Sequence, residues 1–144
     1  MKTFWITVIS VFVALEATAA IWHLALFKSF YDNQLVAIQR PFDEYIVPYL
    51  ISTNAIRSIA IVAFFHMFSR RFSVSLRDGI LFGGFLGLVC GLMVAEYYGV
   101  WNIRSIVWAL VEGIWSVLQG VTVGSVLGMF YQSRASSPTD ASTP

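Results

Sequence analysis

Four stretches of the chain are long and apolar enough to cross a lipid bilayer as helices: residues 4–27, 46–68, 78–98 and 105–131. The hydrocarbon core of a bilayer is crossed by about 20 apolar residues in a helix. Of the 144 residues, 58% are hydrophobic and only 12% are charged, whereas soluble domains carry about 25% charged residues. Because one soluble core cannot bury so much apolar surface, the sequence predicts an all-α integral membrane four-helix bundle. Residues 1–131 form one transmembrane domain, and the Ser/Thr/Pro-rich residues 132–144 are predicted to be a disordered tail.

The N-terminus allows a second interpretation. Lys2, the apolar residues after it and the Ala17-Thr18-Ala19 site resemble a secretory signal peptide. Against cleavage, the apolar run continues to Phe27 and is therefore long enough to span the membrane. We expect the first helix to be retained, with cleavage as the alternative.

Basic residues near the span ends predict the orientation, because cytoplasmic connectors carry an excess of Lys and Arg. With both termini inside, the inner set is Lys2, Arg70, Arg71, Arg77 and Arg134, and the outer set is Lys28, Arg40 and Arg104. This bias favours cytoplasmic termini. The outer connector between the first two spans is the largest. It is predicted to contain either a short surface helix that begins at an Asp32 N-cap and uses Leu35, Val36 and Ile38, or an ordinary loop.

Glycines recur every four residues in the third and fourth spans. The third span has Gly79, Gly83, Gly87 and Gly91, and the fourth has Ser116, Gly120, Gly124 and Gly128. Residues four apart lie on one face of a helix, and small faces let membrane helices approach closely. We therefore expect the third and fourth helices to form a tight hairpin. Dimerisation through one of these faces is the alternative.

Ionisable residues also interrupt the apolar spans. Charged groups inside spans face the bundle interior and usually pair, and Glu16 and Arg57 both fall near the middle of their spans. We expect these two to pair. They would belong to a polar ladder made of Glu16, Arg57, Asn54, Glu112, His23 and Glu96. One arginine with up to three glutamates leaves acid in excess, so the ladder is a possible proton or cation site. The alternative is that the buried charges only fix helix register.

Several functional classes have no support in the sequence. The net charge of +1 gives no electrostatic footprint for nucleic acid. Cys90 is the only cysteine, so no disulfide, paired-cysteine or Cys/His zinc pattern exists. No phosphate loop, nucleophile elbow or HExxH motif occurs. We therefore expect no enzyme activity, no cofactor and no metal.

Three segments carry a resemblance to known proteins. IWHLALFKSFYDNQL (residues 21–35), GILFGGFLGL (79–88) and EGIWSVLQG (112–120) resemble small four-helix bacterial membrane families of unknown function. This resemblance covers most of residues 4–131 and implies a multi-pass protein of the bacterial inner (plasma) membrane, with no activity or site attached. The glutamate in the first span is also similar to that of small multidrug transporters, but the greater length, the large outer connector and Arg57 depart from that pattern.

Two functions remain as expectations. A scaffold or accessory subunit would explain the small size, the glycine faces and the absence of catalytic motifs, and its partners would be the lipid bilayer and a membrane protein or a second copy. The alternative is a small proton- or cation-coupled transporter that uses Glu16 and Glu112, which would need a water-accessible cavity at one of these carboxylates. The sequence favours the scaffold or accessory subunit.

Overall fold

The computed structural model describes residues 2–34, 47–97 and 106–132, and these residues are helical with short turns and no strand. The elements are α1 (Lys2–Ala20), a π-helical segment (Ile21–Leu26), α2 (Lys28–Gln34), α3 (Val47–Ser69), α4 (Leu76–Glu96) and α5 (Ile106–Tyr131). Four helical stretches are long and apolar enough to span a membrane. The prediction of an all-helical chain with four long apolar helices is therefore confirmed. The predicted tail after Gln132 lies outside the described residues.

The helix boundaries differ from the predicted spans by at most two residues. One expectation about the first connector is wrong: Asp32 is not an N-cap, because α2 already begins at Lys28. The chain leaves the π-helical segment at Phe27 and re-enters a helix at once, which lets the side chain of Tyr31 become buried. Leu35, Val36 and Ile38, predicted to form a surface helix, lie outside the described residues.

The connection between α3 and α4 is closed by a capping box. The side chain of Ser75 accepts a hydrogen bond from the backbone N–H of Asp78, whose carboxylate accepts one from the backbone N–H of Ser75. These contacts satisfy backbone donors that have no partner inside the first turn of a helix. The capping box therefore begins α4 at Leu76, two residues before the predicted start of the span.

The four long helices form an open array in which α1 and α5 are central. The helix α1 packs on α3 and α5, and α4 packs almost entirely on α5. We call the end that contains the π-helical segment, α2 and the start of α5 the cap end, and the opposite end the base end. Toward the base end lies an apolar core whose buried members include Val11, Leu15, Phe65 and Leu127.

Glycines bring the backbones of α4 and α5 into direct contact. A Cβ atom built on Gly79 would lie 2.6 Å from the Cα of Gly128, and one on Gly120 would lie 2.7 Å from the Cα of Gly87. Near the cap end, a Cβ on Gly91 would lie 2.8 Å from the carbonyl oxygen of Gly113. Any larger side chain at these positions would push the two backbones apart, because there is no flexible side chain that can move away.

Two adjacent glycines of α4 give a matched test of this contact. A Cβ on Gly83 would strike the carbonyl oxygen of Gly120 and lie 2.6 Å from the Cα of Gly124, whereas one on Gly84 would meet only a methyl group of Val121 at 3.5 Å. Alanine raises helix propensity equally at both sites, by up to about 1 kcal/mol. We expect Gly83→Ala to lower the free energy of unfolding by about 1–3 kcal/mol through overpacking.

The measurement is thermal unfolding of the purified chain in detergent, followed by circular dichroism. Gly84→Ala is the control and should leave the midpoint unchanged or slightly raised. Equal midpoints for the two variants would contradict a backbone contact at Gly83.

Candidate functional site

The polar groups inside the helices form three hydrogen-bonded sets rather than one ladder. One set joins α1 to α3, the second joins α3 to α5, and the third joins α5 to α2 and the π-helical segment. Neighbouring sets share a helix, α3 or α5, but among the described hydrogen bonds none joins one set to the next, so the predicted residues are distributed along the protein.

The first set contains Glu16. The amide Nδ2 of Asn54 donates a hydrogen bond of 2.9 Å to Oε1 of Glu16. The backbone carbonyl of Asn54 also accepts a bond of 2.7 Å from the hydroxyl of Ser58, which is fully buried. The side chain of Asn54 thus holds the half-buried Glu16 carboxylate against α3, and the bond replaces part of its lost hydration.

The second set contains Arg57. A terminal nitrogen of its guanidinium donates a hydrogen bond of 2.9 Å to Oε1 of Gln119 on α5. Gln119 is buried, with 6% of its surface exposed, whereas Arg57 is exposed. The expected direct pair of Glu16 with Arg57 is therefore replaced by two separate contacts. Within the described helices, each of these charged groups meets a neutral amide and not the other charge.

Arg57 also lines a cavity between the helices. The cavity has a volume of about 220 Å³ and is partly open, and its walls come from α1, α3, α4 and α5. Arg57 and Gln119 are its hydrogen-bonding side chains together with Ser116, while Leu86, Cys90 and other residues supply an apolar and glycine surface. The volume admits a side chain but not a helix.

The parts of the cavity wall that α3 and α4 supply lie along an opening between these two helices. Phe82 of α4 contacts Phe64 and Phe65 of α3, with ring centroids 5.9 and 5.0 Å apart. These rings close the groove toward the base end. Beyond them, over the described residues, α3 and α4 lack the extended backbone contact that joins α4 to α5. We call this opening, which contains Arg57, Leu86 and Cys90, the α3–α4 groove.

The third set lies at the cap end. The hydroxyl of Tyr31 donates a hydrogen bond of 2.6 Å to Oε1 of Glu112, and the indole Nε1 of Trp22 donates one of 3.1 Å to the same hydroxyl oxygen. Trp108 and Trp115 complete a buried aromatic cluster around these groups. Phe27, Phe30, Ala19 and Val111 pack against it. We call this cluster the aromatic cap.

The π-helical segment determines how the aromatic cap is assembled. The backbone N–H of Phe27 donates to the carbonyl of Trp22, five residues earlier, at 2.9 Å. The wider turn ends at Phe27, whose φ of −117° and ψ of 16° are not helical. As a result α2 turns back, and Tyr31 reaches α5. Single π-helical turns are frequent at functional sites, and this one positions Trp22 and Tyr31 over Glu112.

Two predicted members of the ladder lie at the margin of these sets. The ring of His23 is half-buried, with its centroid 4.6 Å from that of Tyr31 and 5.4 Å from that of Trp115. His23 therefore belongs to the wall of the aromatic cap. Glu96 is the last residue of α4 and is exposed, so its predicted place in the interior was wrong.

Gln119 and Tyr31 are the functional residues that sequence reasoning missed. Gln119 lies seven residues after Glu112, hence on the same face of α5, and that spacing was a usable signal. By sequence, Tyr31 is an aromatic residue just beyond the end of the first apolar span, where aromatic side chains are typical of the membrane interface. Its burial depends on the turn after the π-helical segment, which no pattern in the sequence indicated.

No group of three His, Cys, Asp or Glu side chains with metal-binding geometry occurs in the part of the chain that the structure describes. No protein-family model, curated protein or solved structure matches this chain. The site must therefore be interpreted from its own geometry.

The hydrogen bonds of Tyr31 in the aromatic cap predict that removal of its hydroxyl lowers the stability of the fold. Tyr31→Phe removes the donor to Glu112 and leaves the buried indole N–H of Trp22 without this acceptor. We expect the free energy of unfolding to fall by about 1–3 kcal/mol, the usual cost of leaving a buried group unsatisfied. Tryptophan emission should also shift, because Trp22 loses its hydrogen bond.

Tyr131→Phe is the matched control for that change. The hydroxyl of Tyr131 makes no hydrogen bond of standard geometry in the described residues, although Thr7 lies beside it, so its removal should cost less than removal of the Tyr31 hydroxyl. An equal loss in both variants, measured by thermal unfolding in detergent, would show that the hydroxyl of Tyr31 has no special role.

The separate partners of Glu16 and Arg57 can be tested by double-mutant cycles. Residues in direct contact show coupling energies of about 0.5–3 kcal/mol. We expect such coupling for Arg57 with Gln119 and for Glu16 with Asn54, each residue being replaced by leucine. The cross pair of Glu16 with Arg57 should couple more weakly than either. A coupling energy between Glu16 and Arg57 that exceeds both of the other coupling energies would instead indicate a direct ion pair.

Proposed function

We propose that the chain is an integral membrane protein with both termini in the cytoplasm, and that it acts as a scaffold or accessory subunit for another membrane protein. Insertion is supported by the many apolar side chains that point outward from the long helices, such as Phe85 and Leu92, which are 68% and 63% exposed. In water this surface would favour aggregation, and in a bilayer it faces lipid. The resemblance of the sequence to bacterial families supports an inner-membrane location.

One observation carries the proposed function, namely the position of Arg57 in the α3–α4 groove. Arginine stays charged at any relevant pH, and at the centre of a membrane helix it costs at least about 2.5–3.5 kcal/mol. Arg57 lies near the middle of α3, is exposed, and donates to the neutral Gln119. A partner that covers the groove would remove this charge from lipid.

The paired helices α4 and α5 make one wall of this groove rigid. Their backbones touch along most of their length through glycines, which favours a fixed surface over a moving gate. A fixed groove with an exposed charge at its centre is suited to holding a partner in one register. Catalysis or transport would require further features.

The alternative of a proton- or cation-coupled carrier is less well supported. That function would use Glu16 and Glu112 and would need a cavity that reaches one of them. The cavity beside Arg57 is instead lined by a cation and two neutral polar side chains. Glu112 lies under the aromatic cap, where Tyr31 donates to it. The geometry favours partner binding.

Site-specific crosslinking in native membranes tests the proposed function. A photoreactive amino acid replaces Leu86, which lines the groove, or Leu92, an exposed residue of the same helix. We expect one discrete protein adduct from position 86 and only lipid or diffuse adducts from position 92. The captured protein, co-expressed with this chain, should then co-purify in constant ratio.

Identical adducts from the two positions, or none from either, would contradict the proposed function. A pH-dependent flux in liposomes that Glu112→Gln abolishes would favour the carrier instead. The unsubstituted chain, irradiated in parallel, controls for non-specific labelling.

A further inference from the structure

We propose that the partner bound in the α3–α4 groove is a transmembrane helix that carries a carboxylate near its middle, and that this carboxylate enters the cavity and pairs with Arg57. The inference rests on the proposed function and adds the chemistry of the partner. It is argued from the free donors of Arg57, from its depth and from the shape of the groove.

The guanidinium of Arg57 has donors to spare. It has five N–H groups in a planar fork, and the bond to Gln119 engages one terminal nitrogen. That bond also limits rotation of the side chain, so the remaining donors are held at the cavity that Arg57 lines. A carboxylate is the protein group whose two oxygens match such a fork and whose charge neutralises it. A neutral amide would leave the positive charge uncompensated.

The depth of Arg57 selects a helix rather than a lipid headgroup as the source of the anion. Arg57 lies ten residues after the start of α3 and twelve before its end, and six residues after Ile51, where the apolar span of this helix begins. At 1.5 Å per residue Arg57 is about 9 Å inside that span, so reaching a lipid phosphate would require the guanidinium to leave Gln119 and extend toward the bilayer surface. A side chain from the middle of a membrane helix arrives at the correct depth.

The shape of the groove agrees with this occupant. The cavity of about 220 Å³ accepts one side chain, and the partner helix itself would lie across the opening between α3 and α4. Phe82, packed on Phe65, closes the groove below the cavity and would fix the vertical position of the partner. The α4 side of the cavity includes the small side chain of Cys90, which leaves room for an entering side chain, whereas the glycine face of α4 is already occupied by α5.

A second copy of this chain is a poorer occupant. Of the three glutamates in the described long helices, Glu16 is half-buried and bonded to Asn54, and Glu112 is half-buried beneath Tyr31. Glu96 and Asp78 are exposed, but they lie at the two ends of α4 and not at the depth of Arg57, and Asp78 is bonded to Ser75. Among the carboxylates of the described long helices none suits the groove, so its charge calls for a carboxylate from a different protein.

The experiment measures association of the full chain with a designed helix in liposomes of phosphatidylcholine and phosphatidylglycerol. The probe is a Leu/Ala peptide as long as α3, which has 23 residues, with one central aspartate. Its comparison peptide has asparagine at that position. Energy transfer between a fluorophore on the peptide and one on a C-terminal tag gives the apparent affinity, in alkaline buffer that favours the ionised carboxyl group.

We expect the aspartate peptide to bind at least about tenfold more tightly than the asparagine peptide. Removing one charge of a desolvated charge pair lowers the binding affinity by this factor or more. Arg57→Gln should abolish the difference, and Arg57→Lys should retain part of it. Arg71→Gln is the matched control, because Arg71 is exposed beyond the end of α3 and should leave the difference unchanged.

Equal binding of the two peptides to the unsubstituted chain would overturn the inference, and that comparison requires no folded variant. Self-association of the chain that depends on Arg57 and is not displaced by the aspartate peptide would overturn it too. The inference and the proposed function can fail independently. A crosslinked adduct at position 86 in native membranes, from a partner without a carboxylate in its membrane helix, would support the proposed function and refute the inference.

Discussion

The glycine contact between α4 and α5 is the constraint on which the rest of the structure depends. Because α4 packs almost entirely on α5, its position relative to α3 is determined by how closely those two backbones approach. At Gly83 and Gly120, the space that a Cβ atom would need is occupied by Cα and carbonyl atoms of the opposite helix. This contact holds α4 beside α3, where the two helices meet at Phe82, and it thereby leaves the α3–α4 groove open beyond that residue.

The same contact affects the polar groups through α5. Gln119 is on the helix that the glycines hold, and its side-chain carbonyl oxygen accepts a hydrogen bond from the guanidinium of Arg57. Glu112, two turns earlier on α5, accepts from Tyr31 under the aromatic cap. One helix thus supplies the neutral partner of the cation, the carboxylate of the cap and one wall of the glycine contact. A change in its tilt would disturb all three.

The charged residues are stabilised in a way that bears on function. Buried ion pairs gain Coulomb energy only by removing two charges from water, so their net stabilisation is small. Here Glu16 and Arg57 each bind an amide side chain on a neighbouring helix. An amide orients a charged group without neutralising it, so the hydrogen bond from Gln119 leaves the charge of Arg57 uncompensated.

The sequence by itself determined the helical class, the four long apolar helices and their ends, because the length of an apolar run and the position of breakers are local properties. It also placed polar residues such as Glu16, Arg57 and Glu112 at defined depths, since rise per residue is constant in a helix. Only the tertiary structure decided which of them meet. The Glu16–Arg57 pair expected from equal depth gave way to Asn54 and Gln119, because depth does not specify the rotation of one helix against another. The burial of Tyr31 likewise arises from the turn that follows the π-helical segment, which depends on contacts distant in sequence.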